Sequence, residues 1–163
     1  LGRLSGLTPD ELEVLEYASL LHDLGKIGVN EAILNKEGPL TAEECARIKE
    51  HADIGEKILQ GIPMMEFVAT IIGAHHENFD GSGYPRRKKG SDIPVEARII
   101  AVADIFDAMK SDRPYRKGLP IDVILGEMRR VAGTQLDPEL VALFIENAVY
   151  EHEEEAQALV ARL

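Results

Sequence analysis

The sequence predicts an all-α fold, a bundle of about six to seven helices that forms one domain. Apolar residues recur at spacings of three and four along most of the chain, which is the period of an amphipathic helix. No alternating run of β-branched residues with hairpin turns persists, so a sheet is not expected. The chain has 163 residues, of which 45% are hydrophobic, and this size suffices for one continuous core.

The first predicted helix begins after Thr8. The segment TPDE supplies a cap residue, a first-turn proline and first-turn acids. The helix places four small or apolar residues on one face and ends in the segment HDLGK at 22–26; these residues are Leu12, Leu15, Ala18 and Leu21.

A second helix is predicted over about residues 42–60. Thr41 and Glu44 fit a capping box, Gly61 fits a stop, and His51 falls in the middle of this helix. A third helix follows Pro63 and runs through to the histidine pair at 75 and 76.

The longest irregular segment reads ENFDGSGYPRRKKGSDIP and covers residues 77–94. A fourth helix starts near Pro94, with Asp104 and Asp107 one turn apart on it. Two helices that begin around Pro120 and Asp137 close the bundle, and the run YEHEEE predicts a solvated continuation of the last one. The fourth helix is predicted to carry five residues inward: Ile99, Val102, Ala103, Phe106 and Met109.

Composition excludes several classes of function. The chain has a net charge of −11 and a sequence pI near 4.9, which argues against general affinity for DNA, RNA or an anionic membrane. No run reaches the roughly 20 apolar residues of a membrane helix, and no leader sequence is recognisable. The single Cys45 cannot form an internal disulfide, so a cytoplasmic location is expected. An anionic ligand would need locally placed cations.

Histidine is the informative residue type. Four of the five histidines stand at predicted helix ends or beside carboxylates, whereas His152 lies in an acidic tail and is expected to be an ordinary surface residue. The adjacent His22 and Asp23 could supply a terminal ligand and a carboxylate that bridges two ions. A nitrogen and oxygen ligand set without thiolate favours iron, manganese or zinc over magnesium alone. Two ions roughly 3.5–4 Å apart are a standard arrangement for phosphodiester hydrolysis.

The chain resembles the HD-GYP family in four segments that appear in the family's order: HDLGK at 22–26, KEHADIG at 49–55, HHENFDGSGYP at 75–85 and ARIIAVADIFDAMKSDRPYR at 97–116. The His-Asp doublet alone is shared by many helical phosphohydrolases, but the four segments in this order are specific. The resemblance implies an HD-type helical bundle with a GYP-containing loop. It also implies metal-dependent hydrolysis of cyclic di-GMP to linear pGpG, to GMP or to both, in bacterial second-messenger signalling.

The resemblance further implies a role for each matching residue. Two divalent ions are expected, iron or manganese first, with zinc, nickel and magnesium as open alternatives. Catalysis would involve His22, Asp23, Lys26 and Asp104, with Asp23 bridging the ions. Substrate would be bound by Lys26, Tyr84, Arg113 and Arg116, through phosphate contacts and ring stacking. The metal ligands would be His22, Asp23, His51, His75, His76 and Asp104.

Two groups of residues, one in the glycine-rich loop and one made of two aspartates, keep alternative interpretations open. Gly81, Gly83 and Tyr84 would either shape the substrate site and contact a partner protein or form a rigid turn that closes the bundle. Asp80 and Asp107 would either orient a ligand histidine or Lys26, or serve as a cap and a solvated acid.

The sequence departs from the family pattern in one predicted metal ligand. The family places a further histidine on a helix before the doublet, and residues 1–21 contain none. We expect residues 1–163 to be an HD-GYP domain without its most N-terminal helix, downstream of a sensory or receiver domain. Homodimers and a signalling partner at the GYP loop are also expected. The alternative functions are a degenerate domain that binds cyclic di-GMP or a protein without turnover, and a different nucleotide phosphohydrolase of the His-Asp class, which would need no GYP loop.

Overall fold

The predicted all-α fold is confirmed. The structure, a computed structural model, describes residues 1–112 and 117–151. Within these ranges an isolated bridge between Ala132 and Leu136 is the one β-type contact, and no helix has both the length and the apolar character needed to cross a bilayer. The α-helical segments of these ranges are α1 Pro9–Leu21, α2 Glu31–Leu34, α3 Ala42–Lys49, α4 His51–Gln60, α5 Glu66–Ile72, α6 Val95–Lys110, α7 Ile121–Val131 and α8 Pro138–Glu146.

The predicted helix starts are confirmed where local capping determines them. Thr8 and Thr41 each form a full capping box with the glutamate three residues later. Asp137 caps α8 by accepting a hydrogen bond from the Glu139 N–H at 2.9 Å. Each of these contacts satisfies main-chain donors that the first helical turn leaves without a partner.

The helix predicted over residues 42–60 is wrong in one respect, because the structure divides it at Glu50 into α3 and α4. His51 is therefore the first residue of α4 and not the middle of one helix. The His51 ring donates its Nδ1–H to the Ile48 carbonyl at 2.7 Å. A continuous helix would use that carbonyl for the N–H of residue 52, so the ring competes with the helix for one acceptor.

Two other helix ends differ from prediction. The third helix, α5, ends at Ile72, before the histidine pair. The last helix, α8, ends at Glu146 and does not continue into the acidic run, because Ala148 adopts a left-handed φ of 47°. A 3₁₀ turn at Val149–Glu151 follows it, and the rest of the predicted continuation, from His152 onward, lies outside the described residues.

The core consists of two hydrophobic clusters that share α6. The first joins α1, α4 and α5 to one side of α6, where Ala97 and Ile100 are buried. The second joins α7 and α8 to the other side of α6, where Val102 and Phe106 are buried. Ala103 was predicted to point inward but is exposed, because it faces a shallow cavity between α1 and α6.

A close backbone approach fixes the HDLGK segment against α4. This segment forms a 3₁₀ turn, Leu24–Gly28, directly after α1. A Cβ atom built on Gly25 would lie 1.9 Å from the His51 carbonyl oxygen and 2.6 Å from the Gly55 nitrogen. No side chain fits there, so glycine is required for His22 and Asp23 to approach His51.

We expect Gly25→Ala to lower the free energy of unfolding by at least about 1–3 kcal/mol, the usual cost of overpacking, because the added methyl group meets main-chain atoms that cannot turn away. The matched control is Gly38→Ala, whose Cβ would meet nothing within 4 Å and which should leave stability nearly unchanged. Urea unfolding followed by circular dichroism measures both. Equal midpoints for the two variants would show that this packing constraint is absent.

Candidate metal centre

Three histidine rings are held in the same way at the ends of helices. His22, His51 and His75 each place the ring Nδ1 against the main-chain carbonyl three residues earlier, at 2.7, 2.7 and 2.5 Å respectively. A carbonyl oxygen can only accept, so each Nδ1 carries the hydrogen that it donates. In a neutral ring the Nε2 atom is then a bare acceptor, which is the form that binds a metal ion.

The Nε2 atoms held in this way converge on one another and on a carboxylate. The Nε2 atoms of His51 and His75 lie 3.4 Å apart, and Asp23 Oδ1 lies 3.6 Å from His51 Nε2. The other oxygen of Asp23, Oδ2, lies 3.6 Å from His22 Nε2. His76 completes a group of three histidines with His51 and His75, whose candidate ligand atoms all lie within 4.8 Å of one another.

The chemistry of these atoms fits a bound cation. The His51 and His75 rings have their Nδ1–H groups bound to carbonyls, and their Nε2 atoms face each other at 3.4 Å. In the neutral form these two atoms would present lone pairs to each other, an arrangement that a cation or a shared proton stabilises. The separation is less than twice the about 2.0–2.1 Å bond between imidazole nitrogen and a metal, so both nitrogens can bind one ion. Asp23 adds an anionic carboxylate between His22 and His51.

The electrostatics favour the neutral form of His75 and His76 and the ionised form of Asp23. Burial lowers the pKa of His75 to about 4 and that of His76 to about 3, so both rings lack the extra proton at neutral pH. Burial alone would raise the pKa of Asp23, but the Lys26 hydrogen bond and charge and the nearby histidines outweigh it and hold this pKa below its ordinary value. Lys26 Nζ donates to Asp23 Oδ2 at 2.6 Å.

The GYP loop folds back onto the histidine pair. The Tyr84 ring stacks on His76 with centroids 4.9 Å apart, and the Tyr84 N–H donates to the His76 carbonyl at 3.2 Å. A Cβ atom on Gly83 would lie 2.1 Å from the Asn78 nitrogen, so glycine permits this return. Burial, followed by the charges of Asp104 and Asp23, raises the pKa of Tyr84, so its hydroxyl stays protonated.

Buried acids hold this loop in place. The Glu77 carboxylate, only 4% exposed, accepts hydrogen bonds from the main-chain N–H groups of Arg86 and Lys88 at 2.7 and 3.1 Å. The Arg86 side chain is paired with Glu56, also buried, on α4. The loop is therefore both a wall of the histidine site and a rigid closure of the bundle.

The structure brings together most of the residues predicted from the sequence. His22, Asp23, Lys26, His51, His75, His76 and Tyr84 form one connected group. Asp104 lines the cavity next to His75 and His76 and also the shallow one next to His22, but it is not a member of the three-histidine group. Arg113 and Arg116 lie outside the described residues. Which residues bind metal or substrate stays a prediction.

The structure favours the simpler interpretation of the two remaining acids. Asp80 accepts a hydrogen bond from the Ser82 N–H at 2.8 Å, and Asp107 accepts one from the Ser111 hydroxyl at 3.0 Å. In the described part of the chain neither is hydrogen-bonded to a histidine ring, and main-chain carbonyls accept from three of these rings, those of His22, His51 and His75.

Two residues at the site were missed from the sequence. Lys49 lines the cavity beside Tyr84, and Glu77 anchors the GYP loop. A signal existed for Glu77, since an acid directly after the histidine pair stands at the start of a loop rich in main-chain donors. Lys49 carried no such signal, because a lysine two residues before His51 should point away from it on a continuous helix.

Comparison with known proteins agrees with this geometry. The family model described as "HD domain" matches residues 1–140. The 3'3'-cGAMP-specific phosphodiesterase 3 of Vibrio cholerae is 46% identical over 128 residues, which are 78% of this chain and 28% of that protein. The cyclic di-GMP phosphodiesterase response regulator RpfG of Xanthomonas campestris is 42% identical over 138 residues, which are 83% of this chain and 36% of that protein.

A solved structure shares the fold. The crystal structure of a cyclic GMP-AMP-specific phosphodiesterase of V. cholerae superimposes with a TM-score of 0.73 at 22% identity, covering 99% of this chain and 44% of that one. The chain thus spans less than half the length of these proteins. Its match to the family model and its four motifs show that the chain belongs to the HD domain family and, within it, to the HD-GYP group.

Proposed function

We propose that this domain hydrolyses a cyclic dinucleotide in a metal-dependent reaction. The observation that carries the proposal is the convergence of His51 and His75 Nε2 atoms, 3.4 Å apart, beside the Asp23 carboxylate. Lone pairs that face one another without a hydrogen between them are what a metal site requires. Two relatives named above as phosphodiesterases of cyclic dinucleotides support the choice of substrate.

The proposal gives each residue a task. His51, His75 and His76 would hold one ion, Asp23 would bridge to a second, and His22 and Asp104 would hold the second. Ions at this place would polarise the phosphoryl group and generate a nucleophile from water. Lys26 supplies a positive charge next to Asp23, where negative charge grows on the phosphoryl oxygens during cleavage. The stacked Tyr84 ring keeps His76 in orientation.

The substrate and the metals are proposed at a finer level. Cyclic di-GMP and 3'3'-cGAMP are the two candidate substrates, because relatives named for each are more than 40% identical to the chain. The product would be the linear dinucleotide, pGpG for cyclic di-GMP, or the mononucleotides. Iron or manganese is the proposed metal, because histidine nitrogen and carboxylate oxygen without thiolate suit both, with zinc, nickel and magnesium as alternatives.

The proposal extends to the complete protein. The relatives are more than twice as long as the stretch they share with this chain, which supports the presence of a further domain, and we propose that it is an upstream sensory or receiver domain. That segment would also supply the ligand histidine that residues 1–21 lack. A cytoplasmic location, a homodimer and a partner protein at the GYP loop belong to the same proposal.

The central test measures turnover directly. Protein purified without oxygen and supplied with iron or manganese should convert cyclic di-GMP or 3'3'-cGAMP to linear product, detected by chromatography, and chelation should abolish the reaction. The chain and a version extended upstream are compared, and GTP serves as the control nucleotide. Binding of the dinucleotide without turnover in either version would replace the proposal with a binding module. Turnover of GTP alone would favour a different phosphohydrolase.

A pair of substitutions separates metal binding from substrate activation. His75→Gln removes a ring nitrogen from the cluster, so we expect loss of bound metal in elemental analysis together with a loss of turnover of about 100-fold or more. Lys26→Met removes only the cation beside Asp23, so metal should be retained while turnover falls by about 100-fold. Full metal content in the His75 variant would contradict the proposed ligand set.

A further inference from the structure

The cavity beside the histidine cluster is lined by two kinds of group: candidate metal ligands, and a lysine next to an aromatic ring. Its volume is about 310 Å³. The residues that line it include His75, His76 and Asp104, and also Lys49 and Tyr84. The rest of the lining is mainly polar and includes Asn78, Ser82 and Gln135. A ligand here would meet candidate metal ligands together with a cation and an aromatic ring.

Lys49 is joined to the cluster through one aromatic ring. Its Nζ atom lies 5.0 Å from the centroid of the Tyr84 ring, within the range of a cation–π contact. The Tyr84 ring in turn stacks on His76 at 4.9 Å. The ammonium group therefore stands one ring away from the histidines and does not compete with them for the same ligand atom.

Lys49 is also a cation without a carboxylate partner. Its neighbours Arg47 and Glu50 pair with each other at 3.0 Å, and within residues 1–112 and 117–151 Lys49 makes no ion pair. Lys26 differs, because its Nζ is bound to Asp23 at 2.6 Å. An anion that enters the cavity can therefore recruit Lys49 without breaking an ion pair.

Lys49 and His51 stand on either side of Glu50, where α3 ends and α4 begins. On a continuous helix, residues two apart point in nearly opposite directions. Here both residues nevertheless reach one stacked pair of rings: His51 contacts His76, and the long Lys49 side chain contacts Tyr84.

From this arrangement we propose that Lys49 binds the phosphate of the substrate that is not being cleaved. The inference rests on the proposed function, since a cyclic dinucleotide carries two phosphates and only one can lie at the metal centre at a time. The phosphate that is cleaved would lie beside the histidines. The other phosphate would bind the Lys49 ammonium group, which the Tyr84 ring separates from the histidines. Lys49 is thus a substrate-binding residue that favours a substrate with two phosphates over a simple diester.

The test compares two substrates in the metal-loaded protein. Cyclic di-GMP, or 3'3'-cGAMP if it is the better substrate, has two phosphates, whereas bis(p-nitrophenyl) phosphate has one. We expect Lys49→Met to raise KM for the dinucleotide about 10-fold, the usual weight of a charged hydrogen bond, with a much smaller change in kcat. The loss should be several-fold larger for the dinucleotide than for the simple diester. Lys49→Arg should recover most of the affinity, because arginine also binds phosphate and stacks on an aromatic ring.

The control is Lys57→Met, an exposed lysine of α4 that is not among the residues lining the cavity and whose loss should leave both KM values unchanged. Equal losses for the two substrates, or a KM rise no greater than that of the control, would overturn the role of Lys49 while the proposed function stands. If the wild type cleaves the simple diester and no cyclic dinucleotide, the proposed function fails. Calorimetry with cyclic di-GMP then tests Lys49 separately. Weaker binding by Lys49→Met than by the wild type supports its role, and equal binding by the two proteins, or no binding by the wild type, refutes it.

Discussion

The hydrogen bond from a histidine Nδ1–H to the main-chain carbonyl three residues earlier is the interaction on which the centre depends. It occurs at His22, His51 and His75, and in each case the carbonyl belongs to the last turn of a helix, where acceptors have no partner of their own. This one hydrogen bond gives a partner to a carbonyl at the helix end, places the ring hydrogen on Nδ1 and directs Nε2 toward the other histidines. The partial negative charge at the ends of α1, α3 and α5 also favours a cation at the point where they meet.

Close packing of the backbone brings these helix ends together. The turn at 24–28 lies so close to α4 that a side chain on Gly25 would collide with the His51 carbonyl and with the nitrogen of Gly55. The long helix α6 contributes to both hydrophobic clusters, and this packing holds its Asp104 in the lining of the cavity that His75 and His76 share. The GYP loop completes the enclosure through Glu77 and Glu56, which anchor Arg86. The site is therefore a product of the core and not of a mobile loop.

The sequence predicted what depends on neighbours along the chain. The capping boxes at Thr8 and Thr41 and the cap at Asp137 involve residues at most three apart, and all three helix starts were found. The break at Glu50 was missed because a side chain takes a helix carbonyl, which no propensity reveals. Ala103 was misplaced because its apolar spacing is that of a core position, while its surroundings form a shallow cavity. The site residues were found mostly through the family motifs, and Lys49 was missed because the predicted helix pointed it elsewhere.

The two lysines show how a chain with a net charge of −11 can accommodate an anion. Charges further apart than about 8 Å are largely screened at physiological ionic strength, so the overall charge matters less than the few groups that line the cavity. Lys26 is bound to Asp23, which reduces the net negative charge of the candidate metal centre and restricts the movement of this lysine. The Lys49 ammonium group lies over the Tyr84 ring. This contact is weak, so its loss costs little free energy when the ammonium group binds a phosphate instead. A cation fixed at the centre and an exchangeable one beside it would divide the tasks of activating one phosphate and recognising the other.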